Sequence, residues 1–167
     1  FCSCIFFGRF IGTTGPKILA PAAIFLAFFL SVFSYNETVV WGSSCFIFLT
    51  EWFHSELLTV NWGFCFDALS TTMLVVVCGV SALVHLYSTE YMAGDPHLIR
   101  FLSYLSIFTG FMLVLVTADN LILMFFGWEG IGLASFLLIS FWHTRIQASK
   151  SALKAMLVNR VGDVGLA

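Results

Sequence analysis

The sequence predicts an all-α polytopic membrane protein of about six membrane-crossing helices, the first and last incomplete, with a short β-hairpin-like element in one long loop. Three observations predict it. Of 167 residues, 60% are hydrophobic and only 10% are charged, against roughly a quarter charged in soluble domains. Uncharged runs recur at about the length an α-helix needs to cross a hydrocarbon core of about 30 Å. When those runs are laid alternately across a membrane, the loop basic residues all collect on one side. Twenty Phe and five Trp suit lipid-facing surfaces and interfacial belts.

Residues 1–7 read as the end of a first span, and residues 8–17 (GRFIGTTGPK) as a Gly/Pro-punctuated loop carrying Arg9 and Lys17. Residues 18–35 are uncharged and long enough to span. Pro21 falls near that start, where a missing N–H costs least. Residues 36–66 form a long loop in which 45–49 and 57–66 are β-capable, separated by polar Glu51, His54, Ser55 and Glu56, so a hairpin-like element on the membrane face is expected. Residues 68–87 span next, with Asp67 placed to favour the helix N-terminus and internal Ser and Thr able to bond back to the backbone. A connection at 88–100 carries Glu90, Asp95, Pro96, His97 and Arg100. Residues 101–117 span again, and 118–120 (ADN) make a minimal turn into the span 121–142. Residues 143–151 then connect to a last helix, 154–167. The chain opens without Met in apolar sequence and stops about 14 residues into a helix needing about 20, so a piece of a longer protein is expected. Neither a signal peptide nor a transit peptide is visible.

Alternating these spans puts Arg9, Lys17, Arg100, Arg145 and Lys150 on one side and Glu37, Glu51, Glu56 and Asp119 on the other, with no basic residue there. The basic side is therefore expected in the cytoplasm or matrix. The five cysteines, at 2, 4, 45, 65 and 78, form no CxxC and no His/Cys ligand spacing, so no metal site is read. Cys45 and Cys65 share a loop, but free apolar thiols are the better reading. No phosphate loop, nucleophile–base pair or haem ligation is present, and no nucleic-acid partner is expected.

Within LILMFFGWEGIGLASFLLISFW (121–142) the one charge is Glu129, about 12 Å from one end of the helix. A carboxylate there costs several kcal/mol unless neutralised, paired or wetted. Gly127, Gly130 and Gly132 leave room for a neighbouring helix or a water. Two readings stand: a structural carboxyl bonded to a partner helix, or a proton-binding site inside the membrane. Arg160 and Asp163, i,i+3 on the last helix, share a face and can pair; Lys154 lies nearer the basic side and can snorkel or turn inward. Those three charges either hold two helices in register or modulate the protonation of Glu129. His85, near the basic end of its span, is a candidate proton relay, though an interfacial role is favoured.

With GWEGIGLASFLLISFW (127–142) and KAMLVNRVGD (154–163) in view, and HLYSTEYM, DPH, RFLSYLSIFT and ADN in the same order, the chain resembles the chain 5 family of proton-pumping NADH:ubiquinone oxidoreductase (complex I) from about Gly8 onward. The GWEG and KAMLVNRVGD forms look mitochondrial. The resemblance implies an antiporter-like helix bundle with inverted five-helix repeats and a polar axis near the bilayer midplane. It assigns the proton-site carboxylate to Glu129 and charge modulation to Lys154, Arg160 and Asp163, while the family's partner Lys and second half-channel would lie beyond Ala167. It further implies a mitochondrial inner-membrane location, with the 36–66 loop toward the intermembrane space and the basic loops in the matrix. Partners would be other membrane-arm subunits, notably the antiporter-like chain 4, the remainder of chain 5, and lipids. No cofactor is expected on this chain; FMN, Fe–S clusters and ubiquinone would belong to other subunits. The competing functions are a subunit of a multi-subunit cation/proton antiporter and a structural fragment without a working channel.

Overall fold

The computed structural model describes residues 14–55 and 59–166. Helix α1 (Thr14–Tyr35) runs into a π-helical turn (Asn36–Val40), followed by strands β1 (Cys45–His54) and β2 (Thr59–Phe66) and helices α2 (Ala68–Tyr91), α3 (Leu98–Val116), α4 (Leu121–Ile139) and α5 (Ile146–Leu166). Four of these stretches, Gly15–Val40, Ala68–Tyr91, Leu98–Val116 and Leu121–Ile139, are long and apolar enough to cross a membrane. The expected span at 1–7 lies outside the described residues.

Polarity is distributed inside-out relative to a soluble domain. Thr71, His85, Ser103 and Thr109 are buried between helices, whereas Ile18, Leu69, Leu121 and Val164 are each more than 70% exposed. Helices in lipid gain nothing by hiding large apolar side chains from a solvent equally apolar, so small and hydroxyl-bearing residues take the helix–helix contacts. Most of these hydroxyls bond back to carbonyls of their own helix, as Ser103 does to Ile99 at 2.8 Å and Ser88 to Val84 at 2.6 Å. The largest packing interfaces join α1 to α2 and α3 to α4, with smaller ones between α2 and α3 and between α4 and α5. Ala20, Met92, Leu98 and Leu102 form an apolar cluster where α1, α2 and α3 meet.

Helix bounds depart from the hydropathy pattern in ways the side chains explain. Helix α1 begins at Thr14, not near 18, which places Pro21 inside it; the carbonyl four residues earlier loses its donor, a defect tolerated in spanning helices. Helix α2 continues to Tyr91 because Ser88 and Thr89 satisfy their hydroxyls on Val84 and Leu86 carbonyls. Helix α4 closes at Ile139, where the Ser140 hydroxyl and N–H turn back to the Phe136 carbonyl. Helix α5 starts at Ile146, so Lys150 lies within it.

The hairpin is longer than expected in its first strand. It pairs antiparallel from Cys45↔Phe66 to His54↔Thr59, with irregularities between Phe48 and Thr50 and between Glu51 and Phe53. Its register separates Cys45 from Cys65. Cys45 faces Phe66 and Cys65 faces Phe46, and consecutive strand residues point to opposite faces, so the two thiols lie on opposite sides of the sheet and remain free. Burial, with Asp67 and Asp119 nearby, pushes the Cys65 thiol above its ordinary range.

The hairpin is latched onto the α3–α4 turn. The Cys65 N–H donates to the Thr117 carbonyl at 2.9 Å, and the Asn120 side-chain amide donates to the Asn61 carbonyl at 2.7 Å. The same Asn120 caps α4 by accepting from the Leu123 N–H at 2.8 Å. Trp52 and Trp62 pack edge-on against Phe126 of α4, with centroids 5.8 and 5.5 Å away. Hairpin and turn thus occupy one side of the bundle, as alternation of the spans requires. Asp67 caps α2 from that side, accepting from the Ser70 N–H at 2.7 Å, which holds its carboxyl below the usual range.

Candidate functional site

Helices α3 and α4 approach closely through Leu123, Gly127, Gly130 and Ala134, the buried face of α4. A Cβ on Gly127 would sit 2.8 Å from the Leu115 backbone, and one on Gly130 would overlap the Phe111 ring. Of the two uses expected for these glycines, Gly127 and Gly130 serve the first, room for a neighbouring helix, and that helix is α3. Glu129 is two positions from Gly127, about 200° around the helix, and so faces α5 instead.

Facing α5, three pairs run in antiparallel register. The indole N–H of Trp128 donates to Asp163 Oδ1 at 2.9 Å. Arg160 Nη1 donates to Glu129 Oε1 at 2.8 Å, and the Asn159 amide lies 3.6 Å from where a Gly132 Cβ would be. Each step forward along α4 is met by a step back along α5. Arg160 Nη1 also lies 3.7 Å from Asp163 Oδ2, an ion-pair distance but too long for a hydrogen bond. One guanidinium thus stands between two carboxylates and grips one of them. The Arg160 side chain is 57% exposed in the chain alone, Glu129 29% and Asp163 9%. Trp128, Glu129, Asn159, Arg160 and Asp163 line a cavity of about 630 Å³ whose remaining wall is mostly Phe, Met and Leu from α3 and α4.

Of the five residues singled out by sequence, the structure brings together three: Glu129, Arg160 and Asp163. Lys154 is exposed and makes no ion pair among the described residues. Nine positions separate it from Asp163, half a turn around α5, so it points away from the cluster. His85 lies apart from the cluster, fully buried between α2 and α3. Its Nδ1 sits 2.8 Å from the Ser81 carbonyl, which only accepts, so Nδ1 carries a proton. Its Nε2 is 3.3 Å from the Ser106 hydroxyl, and Ser81 in turn bonds Thr109 at 2.7 Å. Trp128 and Asn159 are not among the residues the sequence singles out. A Trp beside the only charge of a span is the signal that was available, since an indole N–H in an apolar setting needs an acceptor.

Known proteins resemble the chain along nearly its whole length. The family model described as NADH-Ubiquinone oxidoreductase (complex I), chain 5 N-terminus, matches residues 52–102, and that described as NADH:quinone oxidoreductase/Mrp antiporter, TM, matches residues 118–167. Proteins named NADH-ubiquinone oxidoreductase chain 5 are 54% identical in Arabidopsis thaliana over 97% of the chain, 53% in Chondrus crispus over 96%, and 54% in Acanthamoeba castellanii over 99%. The chain spans about a quarter of the length of these relatives, 24% in each case.

Proposed function

Because the chain belongs to the family of NADH-ubiquinone oxidoreductase chain 5, we propose that it forms part of an antiporter-like membrane subunit of a respiratory complex I, with Glu129 as a site where a proton is held during translocation. The single observation that carries this reading is the Arg160–Glu129 contact at 2.8 Å, some 12 Å inside an otherwise uncharged span. The guanidinium at that distance compensates the carboxylate's charge, and the rest of the cavity wall, mostly Phe, Leu and Met, offers that charge nothing in return. Moving one charge therefore loads or empties the site, which is what coupling to a distant reaction requires. Asp163 supplies the second position for Arg160. His85 is proposed as a packing anchor rather than a relay to Glu129, because its partners all belong to α2 and α3.

The proposal places the chain in the mitochondrial inner membrane, with the hairpin toward the intermembrane space and Arg100, Arg145 and Lys150 toward the matrix. The neighbouring antiporter-like chain 4 and the remainder of chain 5 complete the path. The electrons that drive it pass through FMN, Fe–S clusters and ubiquinone on other subunits.

The test is Glu129→Gln in the assembled complex. Normal complex content with strongly reduced proton pumping and coupled quinone reduction is expected, and Glu129→Asp should retain part of both. A normal proton-to-electron ratio in Glu129→Gln membranes would overturn the proton-site reading. The second family model also embraces Mrp antiporters, which favours a cation/proton antiporter subunit as the runner-up. Sodium-driven proton movement in vesicles without NADH would identify that alternative.

A further inference from the structure

We propose that Trp128 is a positioning residue, whose indole N–H holds Asp163 so that Arg160 stays on Glu129. The inference rests on the reading of Glu129 as the proton site and extends it to how Arg160 is kept at that site. Arg160 has two acidic neighbours, Glu129 at 2.8 Å and Asp163 at 3.7 Å. Nothing in its own packing decides between them, because its side chain is more than half exposed. Asp163 is the better buried of the two carboxylates, and an unsatisfied buried carboxylate would draw the guanidinium to itself.

The indole prevents that capture. Trp128 Nε1–H occupies Asp163 Oδ1 at 2.9 Å, leaving only Oδ2 turned toward Arg160. Indole is a donor that does not titrate and adds no charge. It therefore satisfies Asp163 without changing the count of cations and anions around Glu129. A lysine in the same place would compete as a charge, and a phenylalanine would fill the space and donate nothing. The adjacency of Trp128 and Glu129 on α4, met by Asp163 and Arg160 three apart on α5, makes the two contacts one unit.

The experiment uses the full-length chain in the assembled complex, in membrane vesicles, with dicyclohexylcarbodiimide as probe. This reagent modifies protonated carboxyls in apolar surroundings, and mass spectrometry locates the product. In Trp128→Phe, Arg160 moves toward Asp163, so labelling of Glu129 should rise severalfold and pumping should fall severalfold. Adding Asp163→Asn removes the competitor, and Glu129 labelling should return to near the wild-type level. Trp128→His, which keeps a ring N–H, should stay closer to wild type than Trp128→Phe. Unchanged Glu129 labelling in Trp128→Phe, or a rise that Asp163→Asn fails to reverse, would overturn the positioning role and leave a space-filling ring. A reversible rise in labelling with pumping unaffected would uphold the role of Trp128 while removing Glu129 as the proton site.

Discussion

Removing Arg160 should damage the protein more than removing either acid it touches. At an effective dielectric of about 20, the attraction between unit charges is about 6 kcal/mol at the distance of Glu129 and about 4.5 kcal/mol at that of Asp163. Solvent at the half-exposed guanidinium reduces both. The difference of about 1.5 kcal/mol corresponds to roughly a tenfold preference for Glu129. In Glu129→Gln, Arg160 falls back on Asp163, and the loss is of the order of that difference. In Asp163→Asn, Arg160 simply remains on Glu129. Arg160→Gln instead strands two carboxylates, with only the Trp128 N–H to satisfy one of them. Leaving the better-buried Asp163 and the partly exposed Glu129 without their cation costs about 1–3 kcal/mol, a sizeable part of the margin of many domains. The assay is complex content in membranes by native gel and immunoblot, beside quinone reductase activity. Content should be near normal in Glu129→Gln and Asp163→Asn, sharply reduced in Arg160→Gln, and partly recovered in Glu129→Gln/Arg160→Gln. Equal content in the Arg160 and Glu129 single variants, or a double variant showing the sum of both losses, would refute the bridging geometry.

Three further outcomes follow from other parts of the fold. With Cys45 and Cys65 replaced, a cysteine at Ser55 should react with an impermeant thiol reagent from the intermembrane-space side and one at His143 only from the matrix side; the opposite pattern would invert the assigned topology. Gly127→Ala should destabilise by about 1–3 kcal/mol, since the Leu115 backbone 2.8 Å away cannot yield, whereas Gly132→Ala, with 3.6 Å to Asn159, should be tolerated in thermal inactivation of the complex. In chains that retain them, Cys65 should alkylate more slowly than exposed Cys45 near pH 8.5, because burial, Asp67 and Asp119 lift its thiol above the ordinary range and so lower its thiolate fraction. Its rate should keep rising at higher pH, and Asp119→Asn should quicken it; no effect of that variant would remove Asp119 as a cause.

What the sequence made legible were properties carried within one element. The uncharged runs, the lone Glu129, the i,i+3 spacing of Arg160 and Asp163, and the β-capable flanks of the 36–66 loop all depend on residues a few positions apart. The Arg160–Glu129 bond depends on the register of α4 against α5, and no period within either helix encodes it. For the same reason the sequence marks Gly127, Gly130 and Gly132 only as room for a neighbouring helix or a water, and packing shows that Gly127 and Gly130 admit a helix, α3. Helix α5 is longer than the apolar run that marks it, because its first ten residues, IQASKSALKA, include strong helix formers in Ala, Leu, Lys and Gln. Hydropathy measures affinity for lipid, and helicity requires only that the backbone close on itself. For His85 the sequence shows a polar residue near the apparent end of an apolar run and none of its partners on other helices. Ser81 and Ser106 give it partners inside, and the hydroxyls of Ser88 and Thr89 let the helix pass beyond it. In such a bundle, polarity along the chain marks where partners are needed, and only packing determines which partners supply them.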